Sequence, residues 1–186
     1  MSTILDRYAR TPDNKVVIDI DAEKIEDLYN NFDRQSPYIK KELDQNLVEY
    51  LIDSVREIDT KEFIIRFRFT TGATSSLTER IPKSIHNYFR YLTELERRKL
   101  TRMIRTSLIL LCFGALVLAL SMWGNDKLVH RQTIFSHVIT EGLTVAAWVA
   151  LWNGLATFII NWMPHRSRLR IYQRIIAAPV HFQDKG

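Results

Sequence analysis

The stretch that decides the fold is an unbroken apolar run, Leu108-Ile109-Leu110-Leu111-Cys112-Phe113-Gly114-Ala115-Leu116-Val117-Leu118-Ala119-Leu120. It lies inside a longer segment, Thr106–Asn125, that carries no charged residue. A helix rises about 1.5 Å per residue, so about 20 residues are needed to cross a hydrocarbon layer of about 30 Å. Core helices of ordinary length are shorter and keep a polar edge, which this run lacks. We therefore predict a transmembrane helix over about 106–124.

A second uncharged segment, Gly142–Pro164, slightly exceeds that length and predicts a second span over about 142–163. With the first span it forms a helical hairpin covering 106–164. Asn153 lies near the middle of the second span, and we expect it to face another helix because an amide has no hydrogen-bond partner in lipid. Glu141 lies just before this span. It sits at the membrane interface, or inside the membrane if the span begins earlier.

Charge is distributed around the two apolar segments rather than over a folded face. The 186-residue chain has a formal net charge of +5. The bases that border the spans are Arg97, Arg98, Lys99, Arg102, Arg105, Arg166, Arg168, Arg170 and Arg174. Between the spans the strong bases are Lys127 and Arg131. This asymmetry predicts cytoplasmic termini and an external connector. It also predicts membrane lipids, and not nucleic acid, as the partner of the border bases.

The residues before the first span predict a small cytoplasmic αβ domain over 15–83. The short β-type run 16–20 is followed by helical patterns over 22–32 and about 40–58. In Phe63–Phe69 every second residue is apolar, and Ile64, Arg66 and Arg68 stand between them. This alternation is typical of a strand with one buried face. Residues 1–14 are polar and predict a flexible tail. The N-terminus lacks the apolar stretch of a signal peptide, so we expect this domain to stay in the cytoplasm.

A long helix is predicted to begin at Ser84, with 84–105 as a stalk that continues into the first span. After Pro164, residues 165–186 predict a separate basic helix and then a strand or tail at Val180–Phe182. We expect a strand that joins the N-terminal sheet, because a two-stranded sheet is barely stable in water. The alternative is a frayed tail. The predicted fold class is α+β: a small αβ domain joined by a stalk helix to a two-helix transmembrane hairpin.

Small residues at helical spacing predict close helix packing. Gly114 lies midway between Ser107 and Ser121 at seven-residue steps, and the second span carries Ala146, Ala150 and Gly154 at four-residue steps. Small side chains let helix backbones approach in lipid. The spacing leaves open whether these residues pack within one chain or between chains.

The sequence offers few residues for chemistry. It contains no nucleotide-binding, metalloprotease or nucleophile motif. The single Cys112 excludes an internal disulfide, and the five histidines are scattered. Two interpretations of Asp19 and Asp21 stay open. Both bind Mg²⁺, or Asp19 is a solvated strand residue and Asp21 caps a helix. Arg66 and Arg68 either bind headgroups or an acidic partner, or are solvated. We expect no enzymatic activity, no cofactor and no metal.

Motifs in the C-terminal half resemble an uncharacterised family of bacterial two-span membrane proteins. They are Glu141-Gly142-Leu143, Ala147-Trp148-Val149-Ala150-Leu151-Trp152 and Trp162-Met163-Pro164. The resemblance covers roughly residues 20–182 and implies a bacterial inner membrane without supplying an activity. The family pattern has Arg-Pro and then an acidic residue after the second Trp, where this chain has Asn153, Gly154 and Ala156.

The function expected from these features is a scaffold or accessory subunit that holds an interaction domain at the membrane, as a homo-oligomer or with other membrane protein subunits. The alternative is a channel or transporter component. Its path would be lined by Thr144, Asn153, Thr157 and Glu141. A membrane-bound enzyme acting on lipid is a third hypothesis, which the lack of an acid–base pair disfavours.

Overall fold

The computed structural model describes residues 4–30, 42–70, 80–128 and 134–184. The chain divides into two compact units. The first, here called the sheet unit, comprises Met1–Leu95 and Arg168–Gly186. The second, the hairpin unit, is Glu96–Ser167. The predicted α+β class is confirmed, since the described chain combines a small sheet with long helices.

The sheet has four strands in the order β1-β2-β3-β4. Their bounds are Ala9–Arg10, Val16–Ala22, Phe63–Phe69 and Val180–Asp184. The first pair is antiparallel, and β2, β3 and β4 are mutually parallel. Parallel neighbours need a crossover connection. The helix α1, Gln45–Ile58, lies in the crossover between β2 and β3, and both long helices lie between β3 and β4.

The core of the sheet unit lies between α1 and one face of the sheet. Alternate residues of β3 are buried from Phe63 to Phe69, which puts them all on one face. Helix α1 presents a buried stripe to this core, Val48, Leu51, Val55 and Ile58. The Asp44 side chain caps the helix by accepting hydrogen bonds from two backbone N–H groups of its first turn.

Two long helices follow, α2 over Arg80–Leu128 with 49 residues and α3 over Ile134–Ala177 with 44. The first turns of α2 and the last turns of α3 belong to the sheet unit. Ile85 and Phe89 of α2 and Ile175 of α3 are buried in its core. The predicted domain boundary at 83 is therefore wrong, because the start of the expected stalk completes the core.

Three local predictions are corrected. Part of the expected flexible tail is ordered, with a 3-10 helix at Ile4–Arg7 and strand β1. The helix expected over 22–32 is a single 3-10 turn at Ile25–Leu28, while 31–41 lies outside the described residues. Pro164 does not end a helix, because α3 continues through it. The missing N–H of a proline removes one helix bond without preventing continuation on both sides.

Candidate functional site

The C-terminal strand joins the two ends of the chain. β4 pairs in parallel with β3, with Val180 beside Ile65 and Phe182 beside Phe67. The Phe182 and Phe67 rings stack with centroids 5.9 Å apart. The expected strand at Val180–Phe182 is therefore present, and it extends to Asp184. One sheet contains segments that precede the first apolar helix and follow the second.

Arg174, near the end of α3, fastens this helix to the sheet unit. Its guanidinium donates hydrogen bonds to the backbone carbonyls of Val55, Asp59 and Lys61 and lies 5.1 Å from the centre of the Phe63 ring. Burial lowers the pKa of Arg174 below its ordinary value. Arg174 was predicted as a headgroup ligand. Its donors are directed at carbonyls of the domain instead, because the end of α3 packs on the sheet.

The outer face of the sheet carries two ion pairs across β2 and β3. Arg66 forms two hydrogen bonds with Asp19, of 2.6 and 2.9 Å, and Arg68 forms two with Asp21, of 2.7 and 3.0 Å. The hydrogen bond from Arg66 holds the pKa of Asp19 below its ordinary value. Each carboxylate already has a bidentate arginine partner, which accounts for these four residues without a bound ion.

The two helices of the hairpin unit pack closely at their glycines. A Cβ placed on Gly114 would lie 2.9 Å from Leu151 Cγ, and one on Gly154 would lie 3.0 Å from Leu111 Cγ. At both positions an added Cβ would require the neighbouring leucine to shift. At one end of the pair Ser121 and Thr144 share a hydrogen bond of 2.8 Å.

At the other end of the hairpin unit, Glu96 of α2 meets His165 of α3. Glu96 Oε1 and His165 Nδ1 lie 2.6 Å apart, and the Glu96 side chain is only 4% exposed. Lys99 Nζ lies 3.8 Å from the other carboxylate oxygen. The sequence does not predict this contact, because neither residue stands in a motif and both apolar segments lie between the two residues in the chain.

The predicted lipid-binding bases of the hairpin unit lie beside this pair. Arg97, Lys99, Arg102 and Arg105 are exposed on α2. Arg166 stacks over the Trp162 ring, 4.4 Å from its centre. Because Glu96 contacts His165, the bases on α2 and Arg166 on α3 mark the same end of the hairpin. Arg98, Arg168 and Arg170 are also exposed. Headgroup binding by these residues stays a prediction.

The four-residue stripe on α3 is divided between two faces. Gly154 lies against α2, and the buried alanine of this helix face is Ala147. Ala146 is exposed and Ala150 is half-buried. Asn153, expected to face a helix, is exposed, and among the described residues no helix covers it. Glu141 is exposed inside α3, seven residues after its start at Ile134.

By length and composition the two long helices are able to span a membrane. In each, only 11% of the most apolar window is buried within the chain, whereas a core helix would be mostly buried. Large apolar side chains such as Phe113, Trp148 and Trp152 are more than half exposed. These surfaces need an apolar environment outside the hairpin.

Among the residues described, no group of three or more His, Cys, Asp or Glu side chains is arranged to hold a metal ion. In comparisons with known proteins, no family model, curated protein or solved structure matches this chain. The resemblance to the two-span family therefore stays an expectation.

Proposed function

We propose that this chain is a non-enzymatic scaffold or accessory subunit of the bacterial inner membrane, whose hairpin holds the sheet unit at the cytoplasmic surface. The pairing of β3 with β4 carries the proposal. These strands flank the two apolar helices in the sequence. Since an open sheet cannot be divided across a bilayer, both flanks belong on one side, as two antiparallel spans require.

The border charges support the cytoplasmic side. Bases at 97–105 and 166–170 lie next to the ends of the apolar helices that lead to the sheet unit. Short basic flanks are retained in the cytoplasm during insertion. The same bases are then at the height of anionic headgroups, where each contributes about 1 kcal/mol of attraction.

The form of the sheet supports an interaction role. Within the described residues β4 is an edge strand, and the opposite edge is covered by β1 over only two residues, Ala9 and Arg10. Exposed edges are sites where a partner adds a strand. The outer face, with its Asp19–Arg66 and Asp21–Arg68 pairs, is a polar surface that water or a polar partner can cover.

Topology and complex mass test the proposal. In a Cys112→Ala background, cysteines at Asp126 or Lys127 should react with an impermeant reagent added outside cells, and cysteines at Asp44 or Gln183 should not. In mild detergent, the mass of the intact complex should equal that of several copies of this chain, or that of the chain together with other subunits in fixed stoichiometry. Outside labelling at Asp44, or a monomer with nothing bound, would contradict the proposal.

No observation favours the channel alternative, which stays a prediction. Thr144 is hydrogen-bonded to Ser121 on the face of α3 that meets α2, while Asn153 lies exposed on another face. These two residues therefore do not line one path in a single hairpin. Ion flux into protein-containing liposomes that is lost in a Glu141→Ala variant would support a channel instead of a scaffold.

A further inference from the structure

The helix α3 carries two seams of residues at alternating steps of three and four. One consists of Thr144, Ala147, Leu151, Gly154 and Phe158, and it is the seam buried or half-buried against α2. The other, here called the Asn153 face, consists of Gly142, Ala146, Val149, Asn153, Ala156 and Ile160. At about 100° per residue, the two seams lie roughly half a turn apart.

The Asn153 face is exposed in the hairpin. All its members except the half-buried Ala156 are exposed, with Val149 at 55% and Ile160 at 68%. A Cβ added at Gly142 would meet nothing within 4 Å. Alternating three- and four-residue steps keep one line of side chains directed at a neighbouring helix, as in a coiled coil. The pattern thus predicts a second helix on this face.

Asn153 distinguishes this face from an ordinary lipid-facing surface. It lies near the middle of the uncharged segment Gly142–Pro164. Its side-chain amide makes no hydrogen bond with any residue that the structure describes. Lipid chains offer neither donor nor acceptor, so an amide directed at lipid loses the hydrogen bonds it had in water. The occupant of this face must therefore provide a donor and an acceptor at the height of Asn153.

We propose that the occupant is a second copy of this chain, packed through the Asn153 face with the two Asn153 amides hydrogen-bonded across a twofold axis. An amide both donates and accepts, so two identical amides at a twofold axis satisfy each other. Copies inserted with the same topology place their Asn153 residues at the same depth. The small residues at 142, 146 and 156 allow close backbone approach. This inference rests on the proposed membrane placement and names the partner.

Cysteine crosslinking in native membranes tests the interface. In a Cys112→Ala background, Ala146→Cys reports on the Asn153 face. Trp148→Cys is the control at similar depth, because Trp148 is exposed and lies about 200° around α3 from Ala146. Under oxidation we expect a disulfide-linked dimer from Ala146→Cys and little from Trp148→Cys. Adding Asn153→Leu should reduce dimer formation about three- to tenfold, as expected for loss of a hydrogen bond between membrane helices. Asn161→Leu, the same change off the seam, should not.

The outcomes separate this inference from the proposed function. If the chain leaves the membrane fraction on alkaline washing, the membrane placement itself is wrong. If it stays there and the two cysteines crosslink equally, or Asn153→Leu leaves the dimer unchanged, the copy-to-copy interface is wrong while the scaffold proposal stands. A crosslinked product with the mass of a different protein would overturn the inference in favour of another subunit.

Discussion

Glu96 and His165 join the two long helices at one end of the hairpin unit, with 2.6 Å between carboxylate oxygen and ring nitrogen. The carboxylate is buried, and the imidazole is 22% exposed. A buried acceptor that loses its donor costs about 1–3 kcal/mol. The pair therefore fixes the register of α2 against α3 at the end where the border bases lie.

Replacing His165 should weaken this register. We expect His165→Ala to destabilise the protein by about 1–3 kcal/mol, since the buried Glu96 carboxylate loses the imidazole partner 2.6 Å away. Thermal unfolding of full-length protein in detergent measures the effect. His181→Ala, a change at an exposed histidine, is the control and should lie within about 0.5 kcal/mol of the parent. Equal effects of the two variants would show that the Glu96 contact adds no stability.

Arg174→Gln should loosen the end of α3. The variant leaves backbone carbonyls of Val55, Asp59 and Lys61 without their charged donor, which we expect to cost about 2–3 kcal/mol. Limited proteolysis of the sheet unit in the full-length protein is the measurement. Arg170→Gln, at an exposed position four residues earlier, should retain parental resistance. Parental resistance in Arg174→Gln as well would contradict the role assigned to this guanidinium.

Phe182→Ala should destabilise the sheet by removing the ring that stacks on Phe67. We expect a loss of about 2 kcal/mol, less than for a fully buried phenylalanine because Phe182 is partly exposed. Deleting 179–186 should go further and make residues 14–80 sensitive to protease while insertion persists. The neighbouring His181→Ala, on the opposite face, serves as the control. A protease-resistant deletion variant would mean that β4 contributes nothing to the domain.

The Asp19–Arg66 pair predicts a specific loss of stability in acid. The pKa of Asp19 is lowered in the folded state, chiefly by the hydrogen bond from Arg66. Its stabilising contribution is complete above the unfolded pKa of about 4 and is lost as pH falls through the lower folded value. Asp19→Asn should flatten the pH dependence of stability below about pH 4. Arg66→Gln, which removes the charged donor and keeps the Asp19 carboxylate, should flatten the slope in the same way. An unaltered slope in Asp19→Asn would refute the assignment.

The border bases predict selective retention of anionic lipid. Neutralising Arg166, Arg168 and Arg170 together should reduce the anionic lipid that copurifies with the protein, at about 1 kcal/mol per charge near the surface. Lipid analysis of detergent-purified protein measures this. Neutralising Lys15, Lys24 and Lys61 in the sheet unit is the control for loss of charge alone. Equal lipid content in both triple variants would show that the bases set topology without binding headgroups.

The periodicity of a single segment was sufficient to predict some of the helices and strands. The apolar run around Leu108–Leu120 predicted a transmembrane helix, and the structure has a helix there that is long and apolar enough to cross a membrane. The alternation over Phe63–Phe69 predicted a strand with one buried face, which is present. Both patterns are properties of a single segment, because helix and strand repeat at fixed periods. The strand at 180–182 was predicted from the needs of the sheet rather than from its own short pattern.

Other features depended on contacts between distant segments. Pro164 is compatible with a continuous α3, and the sequence gives no sign that Arg174 would be directed at three carbonyls. Small residues on α3 were predicted as one packing stripe, yet Gly154 meets α2 and Ala146 does not. The spacing of small residues does not determine how a helix is rotated about its axis. Moving the packing face by one residue corresponds to a rotation of about 100°.

The sequence by itself determined the two apolar helices, their basic borders and the alternating strand, because each depends on the composition and period of one continuous segment. The tertiary structure decided the strand order, the parallel pairing of β3 with β4, the Glu96–His165 contact and the side of α3 that α2 covers. Those features depend on the packing of segments far apart in the chain, and many partners satisfy the same local pattern equally well.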